Sequence, residues 1–98
     1  MDVVKKPEIQ IELDETTAQG SYVNLAMIGH SENEIIFDFI FVQPQNQKAK
    51  VRSRIITSPG HAKRLLAALQ DNISKFEAKF GEIKIAPQPE DKKIGFYN

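Results

Sequence analysis

A run of basic residues in the middle of the chain is the part of the sequence best suited to binding chemistry. Residues 48–66, KAKVRSRIITSPGHAKRLL, contain six lysines and arginines and no acid. Four of these bases recur at every second residue, so in a strand they point to one face, about 6.6 to 6.8 Å apart. The other two lie where a helix is predicted to begin, and that end of a helix favours anions. The candidate residues for binding an anion or a partner are Lys50, Arg52, Arg54, Lys63 and Arg64.

The protein's own acids offer another role for the same bases. The formal net charge is zero, yet residues 1–47 hold eight acids and two bases, whereas residues 48–64 hold six bases and no acid. In the predicted sheet Asp38 lies opposite Arg54 or Arg52, and such cross-strand pairs contribute roughly 0.2 to 1 kcal/mol. We therefore favour internal pairing over a protein or small anionic partner. Nucleic acid comes third, because its binding proteins usually carry net basic charge and exposed aromatic residues.

Catalytic chemistry has little support in this sequence. Cysteine is absent, and two histidines, His30 and His61, are too few for a typical closed metal site. The acids at residues 12–15 and 32–34 are predicted to lie in solvated loops. Phosphate-binding loops, nucleophile elbows and zinc motifs are missing. We therefore predict no catalytic residue, no metal and no cofactor, and a hydrolytic role for His61 is the weakest alternative.

Alternation of apolar and polar residues dominates the first half of the chain and predicts strands. Polar or turn-forming stretches separate the alternating segments, which favours an antiparallel meander. The four predicted strands are PEIQIELD, SYVNLAMIGH, EIIFDFIFV and KAKVRSRIIT.

The parity of residue numbers predicts which strand residues share a face. If SEN and QPQNQ close the two later hairpins, odd-numbered residues form the core face: Val23, Leu25, Met27, Phe37, Phe39, Phe41, Val51 and Ile55. The even face carries charged residues together with several aliphatic residues that would be exposed to solvent. A second copy of the chain could bury these aliphatic residues, so we predict a homo-oligomer assembled through the sheet. The predicted oligomer face consists of Ile28, Ile36, Asp38, Ile40, Val42 and Ile56.

A long helix is predicted from about residue 59 to residue 80, packed on the odd face. Ser58 suits the N-cap, Pro59 the first helical position and Gly81 the residue after the last turn. Asp71 and Lys75 form a favourable pair on the polar side. Apolar residues recur at three- and four-residue spacing along the other side: Ala62, Leu65, Leu66, Leu69, Ile73, Phe76 and Phe80.

These elements predict an α+β fold, with a four-stranded antiparallel meander followed by one long C-terminal helix. We expect residues 1–84 to form a single domain and residues 85–98 an irregular tail. The N-terminus lacks the apolar core of a signal peptide, and the longest apolar run is far below the roughly 18 to 20 residues of a membrane span. We therefore expect a cytoplasmic protein without membrane association.

Two segments resemble a bacterial family known as domain of unknown function number 3467. They are ELDETTAQGSYVNLAMIGHS and KAKVRSRIITSPGHAKRLLAALQDNISKFEAKFGEIK, and the resemblance extends from about residue 11 to residue 84. It implies a compact stand-alone domain and transfers no site residues. The predicted architecture is also similar to SecB-type export chaperones, which hold unfolded clients in apolar grooves. We predict a non-enzymatic protein-binding or assembly module, with a chaperone-like role as one form of it and nucleic-acid binding as the alternative.

Overall fold

The computed structural model describes residues 8–86 and contains two helices and three strands within them. The strands form one antiparallel sheet in which β2 is central and β1 and β3 are the edges. The chain divides into two units, one ending at Ser58 and the other beginning at Pro59. In chain order the elements are α1 (Glu15–Ala18), β1 (Leu25–His30), β2 (Ile35–Val42), β3 (Ala49–Thr57) and α2 (Pro59–Phe80).

The α+β class, the antiparallel sheet and the long C-terminal helix are confirmed, but the predicted first strand is wrong. Residues 8–14 have no regular secondary structure. Ile9, Ile11 and Leu13 are 83%, 89% and 68% exposed. A strand needs a neighbouring strand for its backbone N–H and C=O groups, and no strand of the described residues pairs with this segment. The sheet therefore has three strands instead of four.

Residues 14–20, one of the polar stretches predicted to separate two strands, contain the one-turn helix α1. Asp14 is its N-cap, and its Oδ1 accepts a hydrogen bond from the backbone N–H of Thr17 at 2.8 Å. Hydrogen bonding from the Thr17 side chain and from this backbone N–H favours the ionised carboxylate, so it lowers the pKa of Asp14 below its ordinary value. The cap therefore depends on the charged form of Asp14.

The register of the first hairpin reverses the predicted parity of β1. His30 pairs with Ile35, and Leu25 pairs with Ile40. Four residues, 31–34, separate the paired ends, whereas the prediction used the three residues of SEN. One extra loop residue shifts the pairing by one position, which moves every β1 side chain to the opposite face. The prediction that Leu25 and Met27 share a face with the phenylalanines of β2 was therefore wrong.

A β-bulge interrupts the pairing of β2 with β3. Phe39 pairs with Ser53, but the next residue, Ile40, pairs with Val51, which leaves Arg52 as an extra residue on β3. Ile55 shares a face with Phe37, as predicted. Val51 does not, because the bulge shifts the face of every β3 residue that precedes it.

The sheet has an aliphatic face and a phenylalanine face, and directly paired residues of its antiparallel strands lie on the same face. The aliphatic face contains the buried Ile40, which is 5% exposed. Its members are Leu25, Met27, Ile36, Asp38, Ile40, Val42, Ala49, Val51, Arg54 and Ile56. The phenylalanine face contains Ala26, Ile28, Ile35, Phe37, Phe39, Phe41, Lys50, Ser53, Ile55 and Thr57.

Helix α2 has the predicted bounds, Pro59–Phe80. Gly81 follows it with φ +101°, a conformation that suits glycine, and its N–H donates to the Glu77 carbonyl at 2.9 Å. The predicted pair of Asp71 and Lys75 is confirmed at 2.9 Å. Among the described residues, no helix is both long and apolar enough to span a membrane. The packing of α2 on the sheet and the single domain over residues 1–84 stay predictions, and most of the predicted tail, from residue 87 on, lies outside the described residues.

Candidate binding surface

The basic stripe, which is the set of four bases predicted to share one face (Lys48, Lys50, Arg52 and Arg54), is divided between the two faces of the sheet. Lys50 is paired with Phe41 on the phenylalanine face. The Arg52 guanidinium lies over the Phe41 ring, 5.0 Å from its centroid, so Arg52 belongs to the same face. Arg54 is paired with Asp38 on the aliphatic face. The assumption that the stripe points to one face was wrong, because the bulge interrupts the alternation between Arg52 and Arg54.

Asp38 and Arg54 form the internal pair that the sequence suggested. Arg54 Nε lies 2.6 Å from Asp38 Oδ1, and Arg54 Nη2 lies 2.8 Å from Asp38 Oδ2. The Asp38 side chain is 13% exposed and that of Arg54 is 53% exposed. Two parallel hydrogen bonds between charged groups are a strong and directional contact. The charge of Arg54 is therefore largely neutralised by Asp38 within the sheet.

Three other bases of the basic run, Lys48 just before β3 and Lys50 and Arg52 within it, line a surface pocket together with Phe41 of β2. Its volume is about 380 Å³. The Tyr22 ring meets Phe41 edge-on, with centroids 6.3 Å apart. Within residues 8–86, none of the three bases at this pocket forms an ion pair. The pocket is lined by Phe41, Gln43, Lys48, Ala49, Lys50 and Arg52.

An aromatic ring beside several cations suits a carboxylate carried on an apolar chain. Cations that lack an acidic partner also keep their full attraction for an incoming anion. The pocket is therefore the part of the predicted basic stripe that remains suited to binding. Lys63 and Arg64 lie near the N-terminal end of α2, and both are exposed.

The predicted oligomer face is mostly brought together by the structure. Five of its six residues share the aliphatic face: Ile36, Asp38, Ile40, Val42 and Ile56. Ile28 is opposite Phe37, so it belongs to the phenylalanine face instead. There Ile28 and Ile55 flank Phe37 and are 65% and 46% exposed. Both faces of the sheet therefore carry exposed aliphatic side chains.

Asn24 is a structural residue that the sequence reasoning missed. Its Oδ1 accepts from the Val42 N–H at 2.8 Å, and its Nδ2 donates to the Val42 carbonyl at 3.1 Å. Its own backbone N–H donates to the Ile40 carbonyl at 3.0 Å. The amide thus replaces a strand residue at the end of the first ladder. An asparagine directly before a run of apolar strand residues was the available signal.

The two histidines are exposed, and they lie in different elements: His30 ends β1 and His61 lies in the first turn of α2. Within residues 8–86, no group of three or more His, Asp or Glu side chains is arranged to hold a metal ion.

A family model described as protein of unknown function (DUF3467) matches residues 1–85. No curated protein and no solved structure matches the chain. The likeness to SecB-type chaperones therefore has no structural match behind it, and it was based on four strands where the sheet has three.

Proposed function

Since the chain belongs to the family of proteins of unknown function DUF3467, whose description assigns no activity, we propose a function from its own surfaces: a non-enzymatic module that assembles with further copies of itself and binds protein. In this proposal the chain forms a homo-oligomer without a cofactor. Apolar surface, and not net charge, supplies most of the attraction between copies.

The observation that carries the proposal is how few apolar side chains the described residues bury. Ile40 is the single buried hydrophobic residue between residues 8 and 86. A domain of this size usually buries roughly 60% or more of the surface that its unfolded chain exposes. Exposed contiguous apolar patches usually mark interaction sites. Contact with further copies of the chain is the simplest way to bury these exposed apolar side chains.

Helix α2 offers the largest apolar surface for self-association. Six large residues of its apolar side are 40 to 66% exposed: Leu65, Leu66, Leu69, Ile73, Phe76 and Phe80. At 3.6 residues per turn they follow one side of the helix over about 22 Å. Two such helices can pack ridges into grooves and cover each other's apolar side. We propose this helix side as the main contact between copies, and the aliphatic face of the sheet with its exposed Ile56 as a separate, smaller contact.

Sedimentation equilibrium of the full chain tests the proposal. The wild-type protein is expected to self-associate at micromolar concentration. Leu69→Gln should raise the dissociation constant at least tenfold, because a buried leucine contributes about 1.5 to 3 kcal/mol and 1.4 kcal/mol is tenfold.

Ala67→Gln is the matched control, since residues two apart on a helix point about 200° away from each other. It should leave the association unchanged. A wild-type protein that sediments as a monomer up to 100 µM, roughly the range of weak interfaces, contradicts the proposal.

A chaperone-like role in the cytoplasm is the finer form of this proposal. Exposed isoleucine, leucine and phenylalanine side chains suit unfolded clients, and a chain without cysteine suits a reducing compartment. The expected result is that the wild-type protein slows the aggregation of an unfolded client in light scattering, and that Leu69→Gln slows it less. Equal suppression by both proteins would argue against the α2 surface.

Nucleic-acid binding has weaker support than assembly. It would use Lys50, Arg52, Arg54, Lys63 and Arg64, but Arg54 is already engaged by Asp38. Phosphate contacts give an affinity that falls steeply with salt, while an apolar interface does not. Tight, salt-sensitive binding of a DNA or RNA oligonucleotide would favour this alternative.

A further inference from the structure

We propose that residues 8–13 of one copy add as an extra strand to the open edge of β3 in a second copy, where Glu8 and Glu12 meet the bases of the surface pocket. This inference rests on the proposed self-assembly and identifies the segment and the sheet edge that come together. The added strand has acidic residues on one side and aliphatic residues on the other.

The segment has the pattern of a strand without a neighbour. Ile9, Ile11 and Leu13 alternate with polar residues, and at 68 to 89% exposed they contact little of their own chain. Alternation of this kind is useful only where one side of an extended segment is covered. The segment therefore has the sequence pattern of a strand, but within the described chain it pairs with neither edge of the sheet.

Strand β3 provides an edge with the matching pattern. It lies at the border of the sheet, so the backbone groups that face away from β2 have no ladder partner among the described strands. Before the bulge its side chains alternate as well. Lys50 and Arg52 lie on the phenylalanine face, and Ala49 and Val51 lie on the aliphatic face.

The two patterns fit in one register. In an antiparallel pairing with Gln10 opposite Lys50, Glu8 is opposite Arg52 and Glu12 is opposite Lys48. The acids are four residues apart, as are the two bases, so both pairs form together over about 13 Å.

In this register the isoleucines lie on the aliphatic face. Ile9 and Ile11 then extend the row formed by Val51 and Ile40. A slip by one residue would bring one of the acids beside Ala49 in one direction or beside Val51 in the other, and in both cases the isoleucines beside the bases. The register is therefore specified by charge and by hydrophobicity at the same time.

The other open edge of the sheet does not match the segment. Strand β1 has the sequence LAMIGH, without lysine or arginine, and the loop that follows it contains Glu32 and Glu34. Like charges across strands are unfavourable. A two-fold axis would also let each of two copies donate its segment to the other, so one contact type forms twice and closes.

Disulfide trapping tests the inference directly, because the wild-type chain contains no cysteine. Tagged Gln10→Cys chain and untagged Lys50→Cys chain, both full length, are mixed in urea, refolded together and oxidised. The expected result is a mixed disulfide dimer, since opposed strand residues come within disulfide distance. Ala26→Cys on β1 replaces Lys50→Cys in the control and should give at least tenfold less mixed dimer.

Charge exchange provides a second measurement. Glu8→Lys combined with Glu12→Lys should raise the dissociation constant at least tenfold at low salt. Adding Lys48→Glu and Arg52→Glu to the same chain should restore association. Failure of this restoration overturns the inference, because a purely apolar contact would not respond to the second pair of changes.

The outcomes also separate this inference from the proposed function. An oligomeric wild-type protein without the mixed disulfide, or with as much of it in the Ala26→Cys control, overturns strand addition alone. A Gln10→Cys, Lys50→Cys double variant that closes only within one chain does the same, since the segment would then pair with its own sheet. A monomeric wild-type protein overturns both.

Discussion

Asp38 of β2 and Arg54 of β3 lie directly opposite each other and form two hydrogen bonds, of 2.6 and 2.8 Å, on the aliphatic face of the sheet. A slip of one residue would place Asp38 against Ser53 or Ile55 and leave the aspartate without its guanidinium. The pair therefore fixes the register on one side of the bulge. Its geometry depends on the planar fork of arginine, which lysine lacks.

The first prediction concerns this pair. Asp38→Asn should lower the free energy of unfolding by about 1 to 2 kcal/mol, because hydrogen bonds to charged groups are worth about 1.5 to 3 kcal/mol and Arg54 is partly solvated. Arg54→Lys should cost about 1 kcal/mol, since one of the two hydrogen bonds is lost. Urea unfolding at fixed protein concentration measures both. Asp71→Asn, which breaks the exposed pair with Lys75, is the control and should cost less than about 0.5 kcal/mol.

The second prediction concerns the side chain of Asn24. Asn24→Ala removes both hydrogen bonds to Val42 and should cost about 1 kcal/mol of unfolding free energy. Amide hydrogen exchange at Val42 should become faster, because that N–H loses its acceptor. Asn46→Ala, which removes an exposed side-chain contact with Gln43, is the control. Unchanged exchange at Val42 in the Asn24 variant would contradict the assigned role.

The third prediction concerns the pH dependence of helix α1. Hydrogen bonding from the side chain and the backbone N–H of Thr17 lowers the pKa of Asp14, so the cap contributes above the ordinary pKa of an aspartate. That contribution is lost as the pH falls through the lowered pKa. The amide resonance of Thr17 should therefore titrate with a midpoint below that of an unstructured aspartate. Asp14→Asn should abolish this titration, and Glu15→Gln should not.

The fourth prediction compares two glycines of the helix unit. Gly81→Ala should cost about 1 kcal/mol, because φ is +101° there and an L side chain is strained in that region. Gly60 has no positive φ, and apart from its chain neighbours and the adjacent backbone of its own helix nothing described lies within 4 Å of an added Cβ. Gly60→Ala should therefore stabilise the protein by about 0.5 kcal/mol. Thermal unfolding of the two variants should show shifts of opposite sign.

The sequence predicted the helix well and the sheet faces poorly, for a physical reason. The bounds of α2 depend on local chemistry, with Pro59 at its start and Gly81 after its end. The assignment of side chains to the sheet faces depends on their two-residue alternation along each strand. One extra residue in a loop or at a bulge therefore reverses that assignment. The fourth residue of the β1–β2 loop and the extra Arg52 of β3 are the two residues that reverse the faces here. Neither position has a distinct sequence pattern.

The candidate site was predictable only in part. Internal pairing of Asp38 with Arg54 followed from their chemistry and their predicted positions in adjacent strands. The pocket around Phe41 did not, because the parity argument placed Phe41 in the core and Lys50 on the opposite face. The pairing of Phe41 with Lys50 exists only because of the bulge. A site that depends on an irregularity of the ladder lies beyond period-two reasoning.

The bulge also makes position 52 unusual with respect to deletion. Because Arg52 opposes no residue of β2, a chain that lacks it can keep Ser53 on Phe39 and Val51 on Ile40. Within the sheet, the loss would be limited to the contact of the guanidinium with Phe41. Strand β2 has no such surplus residue in its ladder, so the loss of Asp38 would move half of that strand to the wrong face. Strand β3 can therefore shorten by one residue during evolution without exchanging the two surfaces of the sheet.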